Sequence, residues 1–341
     1  MKKKCVRLII FSIILIGFLS GCKVTPESNN TGADNQPANF VDSSWADDVL
    51  EIDSLTESNS SVFYISENGI MRHDKDKNTN MVLVASESIN SFCIYNDSLY
   101  YCESENTIYK TNMGGEGRVK IIEMSQVESL LIEKSLAHFE IYDGFVYIKS
   151  SGTSLIRFSL STEHAENFVD DVGKYEFLNQ SLFYIDHMER TFSIYGKDFC
   201  TGNTSLLRGD GITKQKSPEN SEWKIELYDN VIATNGRLYY TTKAPAKLFE
   251  LMPDGGDILL EDFNHLKDAN YLSITVTESA LYYVLESGSL KGHLFEYNAQ
   301  TGEKKEVALL NDVNYLFGIK VVDGYVFYYS LPENRLTYAQ M

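Results

Sequence analysis

Hydrophobic and polar positions follow one another in a fixed order that recurs along the chain. Each copy has two turn residues, an apolar run with an aromatic pair, a polar stretch and a second short apolar run. The seven copies of the aromatic run lie at 60–65, 96–101, 143–148, 179–184, 235–240, 278–283 and 323–328. Short apolar runs bounded by turn residues are typical of β-strands. The pattern therefore predicts one structural unit that is used repeatedly.

Each unit is predicted to contain four antiparallel strands. One strand-like run precedes the turn and another follows the second apolar run. Asp143-Gly144, Asn235-Gly236 and Asp323-Gly324 are two-residue hairpin signals, because a type I′ turn requires positive φ at both central residues. A second turn follows the third strand, at 112–115, 253–256 and 298–302.

Four-stranded units repeated in this way are typical of a β-propeller, in which the sheets pack face to face around an axis. We predict an all-β fold, a single β-propeller over residues 46–341 built from four-stranded antiparallel blades. Seven hairpins indicate seven blades, and six blades remain open because the final unit ends at Met341. Residues 40–55 are expected to supply closing strands to the last and first units.

The aromatic strands and the Asp-containing turns resemble the YWTD-related propeller repeats of the low-density-lipoprotein receptor. The chain is more similar to a bacterial repeat family of unknown function related to those propellers. The resemblance spans about residues 50–341, and it implies the propeller fold more than any function. The receptor pattern has Trp-Thr-Asp after the Tyr, whereas Cys102-Glu103 and Thr241-Thr242 follow Tyr101 and Tyr240 here.

The N-terminus is predicted to be a secretory signal peptide over residues 1–21. A basic tip precedes an apolar stretch at 8–19, which is shorter than the roughly 20 residues that span a bilayer. Residues 22–45 are rich in Asn, Thr and Ser without apolar periodicity. This composition is typical of a flexible linker.

The leader ends with Leu19, Ser20, Gly21 and Cys22, which resemble the lipobox of bacterial lipoproteins. The resemblance implies that the signal peptidase recognises Leu19, Ser20 and Gly21 and cleaves before Cys22. It also implies that Cys22 carries diacylglycerol and further fatty acid such as palmitate. Two or more acyl chains anchor a protein stably. We therefore expect an extracytoplasmic protein held by lipid on the bacterial cell membrane.

Charge and composition narrow the classes of partner. The chain is 43% hydrophobic and 23% charged, which excludes wholesale disorder. Asp and Glu number 48 against 30 Lys and Arg, giving a net charge of −18. Nucleic-acid binding depends on Lys and Arg that neutralise phosphates, so no nucleic-acid partner is expected.

No sequence motif for catalysis or cofactor binding is present. The chain lacks a Gly-x-Ser-x-Gly elbow, a P-loop and a dinucleotide glycine fingerprint. Its six histidines fall in different units without a metal-ligand spacing. We therefore expect no catalytic residue, no metal and no cofactor.

Cys93 and Cys102 lie on two strands of one hairpin, in a compartment that permits disulfides. If Asp97-Ser98 forms the turn, the two cysteines lie opposite each other and can form a disulfide. If Asn96-Asp97 forms it, we expect them to face opposite sides of the sheet. The sequence leaves both alternatives open.

These features favour a non-catalytic binding or scaffolding module that recognises a protein, a peptide or an envelope glycan. The first alternative is a glycan hydrolase or lyase with its acid and base on different blades. It requires carboxylates or histidines that converge near one mouth of the channel. The second alternative is a cell-envelope assembly or sensory factor.

Overall fold

The described residues of the computed structural model belong to one compact unit, which lies within 43–341. The structure describes residues 45–58, 60–131, 135–149, 154–186, 193–209, 212–213, 224–225, 227–243, 246–252, 254–262, 272–277, 280–286, 291–314, 318–331 and 335–341. None of its helices in these ranges is long and apolar enough to cross a membrane. The predicted signal peptide, the linker up to residue 44 and the lipobox residues Leu19, Ser20, Gly21 and Cys22 lie outside the described residues.

Seven antiparallel sheets follow one another along the chain, and we number them as blades 1 to 7. Blades 1 to 3 contain β1 (Thr56–Ser58), β2 (Ser61–Ser66), β3 (Gly69–Asp74) and β4 (Thr79–Val84), then β5 (Ile89–Tyr95), β6 (Ser98–Glu103), β7 (Thr107–Asn112) and β8 (Val119–Glu123), then β9 (Phe139–Tyr142), β10 (Phe145–Lys149), β11 (Leu155–Ser159) and β12 (Ala165–Val169). Blade 4 contains β13 (Val172–Leu178), β14 (Ser181–Asp186), β15 (Ser193–Asp198) and β16 (Thr204–Arg208). A small hairpin of β17 (Ile212–Thr213) and β18 (Lys224–Ile225) follows blade 4.

The last three blades repeat this arrangement. Blades 5 to 7 contain β19 (Leu227–Thr234), β20 (Arg237–Lys243), β21 (Lys247–Leu251) and β22 (Asp257–Asp262), then β23 (Leu272–Val276), β24 (Ala280–Glu286), β25 (Gly292–Asn298) and β26 (Lys304–Leu310), then β27 (Ile319–Val322), β28 (Tyr325–Ser330) and β29 (Arg335–Gln340). Strands adjacent in sequence pair within each blade, and blade 7 has three strands in the described part of the chain. The predicted all-β, seven-bladed propeller is confirmed, and the alternative of six blades is wrong.

The two-residue turns between first and second strands have the predicted backbone geometry. The φ angles are 47° and 52° at Asn96 and Asp97, and 47° and 78° at Asp143 and Gly144. Positive φ at both central residues defines a type I′ hairpin, whose twist matches that of the flanking strands. Blades 2 and 3 therefore use the same type of turn between their first and second strands.

The turn at Asn96-Asp97 decides between the two alternatives for the cysteine pair. It sets Cys93 opposite Tyr100 and Cys102 opposite Ser91, and both thiols are free. The expectation that this register places the cysteines on opposite sides is wrong. Directly opposed residues share a face, so Cys93 shares the face of Tyr100 and hence of Cys102. The two cysteines are diagonal neighbours, about 7 to 8 Å apart at Cα, which is longer than a disulfide usually spans.

The hydrophobic core is divided into seven clusters, one between each pair of consecutive blades. Within each aromatic pair, side chains alternate between the two faces of the blade. The first residue of the pair in one blade lies in the same interblade cluster as the second residue of the pair in the next blade. The residues that share a cluster in this way are Phe63 with Tyr101, Tyr100 with Ile148, Tyr147 with Tyr184, Phe183 with Tyr240, Tyr239 with Tyr283, Tyr282 with Tyr328 and Phe327 with Tyr64.

Closing strands are predicted for residues 40–55, and residues 45–55, the described part of that stretch, do not form them. In the described part of that stretch, Ala46–Asp48 and Ile52–Ser54 form 3₁₀ turns. Trp45, 2% exposed, packs with Tyr64 of blade 1 and Phe327 of blade 7. The buried residues recur about every three positions rather than every second one, and this spacing suits a 3₁₀ turn instead of a strand.

Candidate functional site

The first strand of each blade lies next to the axis of the ring. First strands of neighbouring blades contact one another, as β5 does with β9 and β13 with β19. The first strands therefore line an axial channel, while the fourth strands form the outer rim. Side chains on the first strands decide what the channel can bind.

One residue on each first strand occupies the same position in the repeat, opposite the first residue of the aromatic pair. We call these seven residues the channel ring: Thr56, Cys93, Glu140, Glu176, Ile232, Thr275 and Lys320. Because they pair with equivalent residues, they lie at one level along the channel. The channel ring therefore gives a cross-section of the propeller at that level.

The charged members of the channel ring lie on opposite walls. Glu140 and Glu176 belong to the adjacent blades 3 and 4, and Lys320 belongs to blade 7. In a closed ring of seven equal blades, the junction of blades 3 and 4 is directly across the axis from blade 7. The channel is therefore bipolar at this level, with two carboxyl groups facing one ammonium group.

Glu176 has an unusual protonation equilibrium. Its side chain is half-buried, and its Oε1 accepts a hydrogen bond from the Phe177 N–H at 3.2 Å. Loss of hydration and the neighbouring charge of Glu140 raise the pKa of Glu176 from 4.5 to about 7. Backbone N–H groups and the charge of Lys320 oppose that increase. The carboxyl group is thus partly protonated at neutral pH.

The Glu140 side chain is exposed, but the protein atoms around it reduce the hydration of its carboxyl group. This confinement raises its pKa, and the charges of Lys320 and Lys149 counteract the effect only in part. Burial, followed by the charge of Glu140, also raises the pKa of the Cys93 thiol. Cys93 is therefore a neutral thiol at physiological pH rather than a reactive thiolate.

Lys320 also lines a cavity of about 680 Å³. Its walls come from blades 6, 7 and 1 and include Thr56, Val276, Val322 and Met341. The volume lies within the roughly 300–1,000 Å³ of small-molecule sites. Among the described residues, Lys320 has no ion-pair partner within the channel or cavity.

The carboxylates in the cavity wall are already engaged. Lys75 forms ion pairs with Glu57 and with Asp323, the latter at 3.6 Å. The backbone N–H of Asp323 also donates to Glu57 Oε2 at 3.3 Å. This cluster ties blade 1 to blade 7 and leaves Lys320 as the available charge in the cavity. No set of three or more His, Cys, Asp or Glu in the described ranges is placed to hold a metal.

The structure brings only one of the residues singled out from sequence into the channel ring, which is Cys93. Cys102 is fully buried between blades 2 and 3, and burial raises its pKa to about 12. Sequence reasoning missed Glu140, Glu176 and Lys320. Counting back three residues from the predicted turns would have found them, because that position lies opposite the first residue of the aromatic pair, on the strand next to the axis.

No protein-family model matches the chain, and no curated protein sequence matches it significantly. Several solved structures do resemble it. The N-terminal domain of Nup159 aligns over 83% of this chain and 88% of its own, with 13% identity and a TM-score of 0.50. YCF48 bound to D1 peptide aligns over 82% and 90%, with 10% identity and a TM-score of 0.50.

A chain of the nidogen/laminin complex aligns over 74% of this chain and 93% of its own, with 14% identity. Its TM-score is 0.44, and we draw no conclusion about homology from it. At identities this low, the first two alignments establish the fold alone, since propellers serve many functions. The protein is thus a seven-bladed β-propeller with a bipolar axial channel.

Proposed function

We propose that the protein is a lipid-anchored, extracytoplasmic binding module, related to the bacterial and receptor-type propeller repeats that its sequence resembles. It recognises a protein, peptide or envelope glycan at the axial channel. The observation that carries the proposal is the cavity of about 680 Å³ into which the unpaired Lys320 opens. A charged group without a partner in a partly apolar cavity favours a ligand that supplies the opposite charge.

The anchor rests on the lipobox resemblance at Cys22. Cys22→Ala is expected to release the protein from the membrane fraction or leave the precursor uncleaved, because the modified thiol is lost. Fractionation of cells followed by immunoblotting measures this. Cys200→Ala, at an exposed thiol on blade 4, is the matched control and should remain at the membrane. If Cys22→Ala fractionates and matures like the wild type, the anchor is refuted.

Binding of a macromolecular partner is tested by pull-down from detergent-solubilised envelope. The tagged full-length lipoprotein and a soluble form that starts near residue 40 should both retain the same partner. Lys320→Gln should retain less of it, whereas Lys305→Gln on the outer strand β26 should not. A stoichiometric partner that carries enzymatic or signalling activity would favour the assembly or sensory alternative. If Lys320→Gln retains as much of the partner as the wild type does, the channel is excluded as the binding site.

A glycan hydrolase or lyase is the second candidate, because Glu140 and Glu176 converge from different blades. A raised pKa such as that of Glu176 suits a general acid. We rank this function second because Lys320 lies across from both carboxyl groups and lowers the pKa of each. Release of reducing sugar from envelope glycan, abolished by Glu176→Gln, would reverse the ranking.

A further inference from the structure

We infer that the axial channel binds a zwitterionic ligand of the short-peptide class, whose ammonium contacts Glu140 and Glu176 and whose carboxylate contacts Lys320. This inference rests on the proposed binding function and specifies its ligand. It follows from the positions of the charges, from the absence of direct ion-pair partners for Glu140 and Lys320 among the described residues, and from the walls of the cavity.

The charges of the channel ring favour a ligand that carries both a positive and a negative charge. A simple anion attracted by Lys320 meets two carboxyl groups across the channel, and a simple cation attracted by the carboxyl groups meets Lys320. A ligand with both charges, separated along its length, gains attraction at both walls. The amino and carboxyl ends of a short peptide have this arrangement.

Glu140 and Lys320 have no direct hydrogen-bond or ion-pair partner for their charged groups among the described residues. The charges of Lys320 and Lys149 act on Glu140 without forming an ion pair with it. The nearby cluster of Lys75, Glu57 and Asp323 shows the contrast, since its charges neutralise one another. Confined charges are costly unless they are paired. A ligand that pairs them therefore stabilises the occupied channel.

The cavity wall combines apolar and polar groups. Val276, Val322 and Met341 offer apolar surface and Thr56 carries a hydroxyl group, whereas the Thr277 hydroxyl already hydrogen-bonds with Ala280. Small apolar side chains fit the apolar surface, and hydroxyl groups can donate to or accept from peptide N–H and C=O groups. These walls can therefore contact both the side chains and the backbone of a small-residue peptide.

The test uses the full-length lipoprotein in detergent micelles and titration calorimetry with alanyl-alanine. Two blocked forms are compared with it, N-acetyl-alanyl-alanine and alanyl-alanine amide. Loss of one charged contact is expected to weaken binding by about tenfold or more. Alanine and trialanine serve as length controls. Equal affinity for the free and blocked dipeptides, or no binding by any alanyl compound, overturns the inference.

Variants assign each end of the peptide to a wall. Lys320→Gln should bind the free dipeptide and the amide equally, because the carboxylate contact is gone. Glu140→Gln combined with Glu176→Gln should likewise abolish the preference over the acetylated form. Lys305→Gln and Glu303→Gln, both exposed on blade 6, change the same charges outside the channel and should behave as wild type. Preferences that persist in the channel variants overturn the assignment.

Melting curves of every variant identify misfolding, and the blocked peptides test the inference on the unaltered protein. Failure of these titrations leaves the broader proposal separately testable. A partner retained in the pull-down through Lys320, with no binding of alanyl peptides, would sustain the binding module and reject its peptide ligand. Loss of both would reject the two together.

Discussion

The aromatic pair shows how a single residue position determines contact between blades. Equivalent side chains pack between the blades in every unit, but their hydroxyl groups differ in hydrogen bonding. The buried Tyr64 hydroxyl has no hydrogen-bond partner among the described residues, whereas the Tyr240 hydroxyl donates to Asp257 Oδ2 at 2.6 Å. Both residues occupy the second position of the pair, so the difference comes from their surroundings.

Replacing each tyrosine by phenylalanine should separate packing from hydrogen bonding. Tyr64→Phe is expected to leave stability unchanged or to raise it by up to about 1 kcal/mol, because it removes an unsatisfied buried hydroxyl. Tyr240→Phe is expected to cost about 1.5–3 kcal/mol, because it removes a bond to a charged acceptor. Chemical denaturation of the two variants measures the difference. Equal losses would show that Tyr64 has a partner.

The pKa of Glu176 predicts a dependence of stability on pH. The raised folded-state pKa means that the folded protein binds a proton more tightly than the unfolded chain between about pH 4.5 and 7. Stability should therefore decrease as pH rises through that range. Glu140, Lys320 and Tyr175 are the titratable groups that face or act on this site.

Glu176→Gln removes this proton equilibrium and tests its sign. Relative to the variant, the wild type should lose melting temperature as pH rises from 4.5 to 8, on the order of 2 °C for this half-buried group. Glu303→Gln, in an exposed turn of blade 6, should follow the wild type at every pH. A wild type that gains stability over Glu176→Gln with rising pH would mean that the carboxylate is stabilised in the channel.

The turns are the elements that set the spacing of neighbouring blades. In the turn after the third strand of blade 2, Asn112 Oδ1 accepts hydrogen bonds from the N–H groups of Gly114 and Glu116, both at 2.9 Å. Gly115 has a φ of 82° and lies against the fourth strand of blade 1. A Cβ at Gly115 would stand 2.0 Å from the Leu83 carbonyl oxygen. The glycine thus permits both the turn and the close approach of blades.

Gly115→Ala should therefore destabilise the protein more than positive φ alone explains. Gly202→Ala is the control, since Gly202 has a φ of 71° and open space around it. We expect Gly115→Ala to cost roughly 2 kcal/mol more than Gly202→Ala, because the added methyl meets backbone. Urea denaturation measures both. Equal costs would indicate that the two blades are further apart at this turn.

The elements that follow from local chemistry could be predicted from sequence, and those that depend on closure could not. Asp-Gly and Asn-Gly turns and alternating apolar runs determine strands locally. The segment at Trp45 could not be recognised as 3₁₀, because its structure depends on burial between blades 7 and 1. The channel ring also depends on closure, since Glu140 and Lys320 are distant in sequence and meet only across the axis.

The whole molecule is a closed ring in which no blade buries both of its faces alone. Seven separate interblade clusters follow one another around the axis. The outer strands expose apolar side chains such as Met81, 46% exposed, and Leu206, 56% exposed. The molecule therefore offers two distinct kinds of surface, a charged channel and an apolar rim. We propose that recognition takes place at the channel.

Photo-crosslinking in intact cells tests that assignment most directly. Benzoylphenylalanine replaces Thr56, which is shared by the channel ring and the cavity, or Met81 on the rim. After irradiation, mass spectrometry of the purified lipoprotein detects an added peptide or protein of any size. The account predicts an adduct at Thr56 and none at Met81. An adduct confined to Met81, or none at either position, would contradict it.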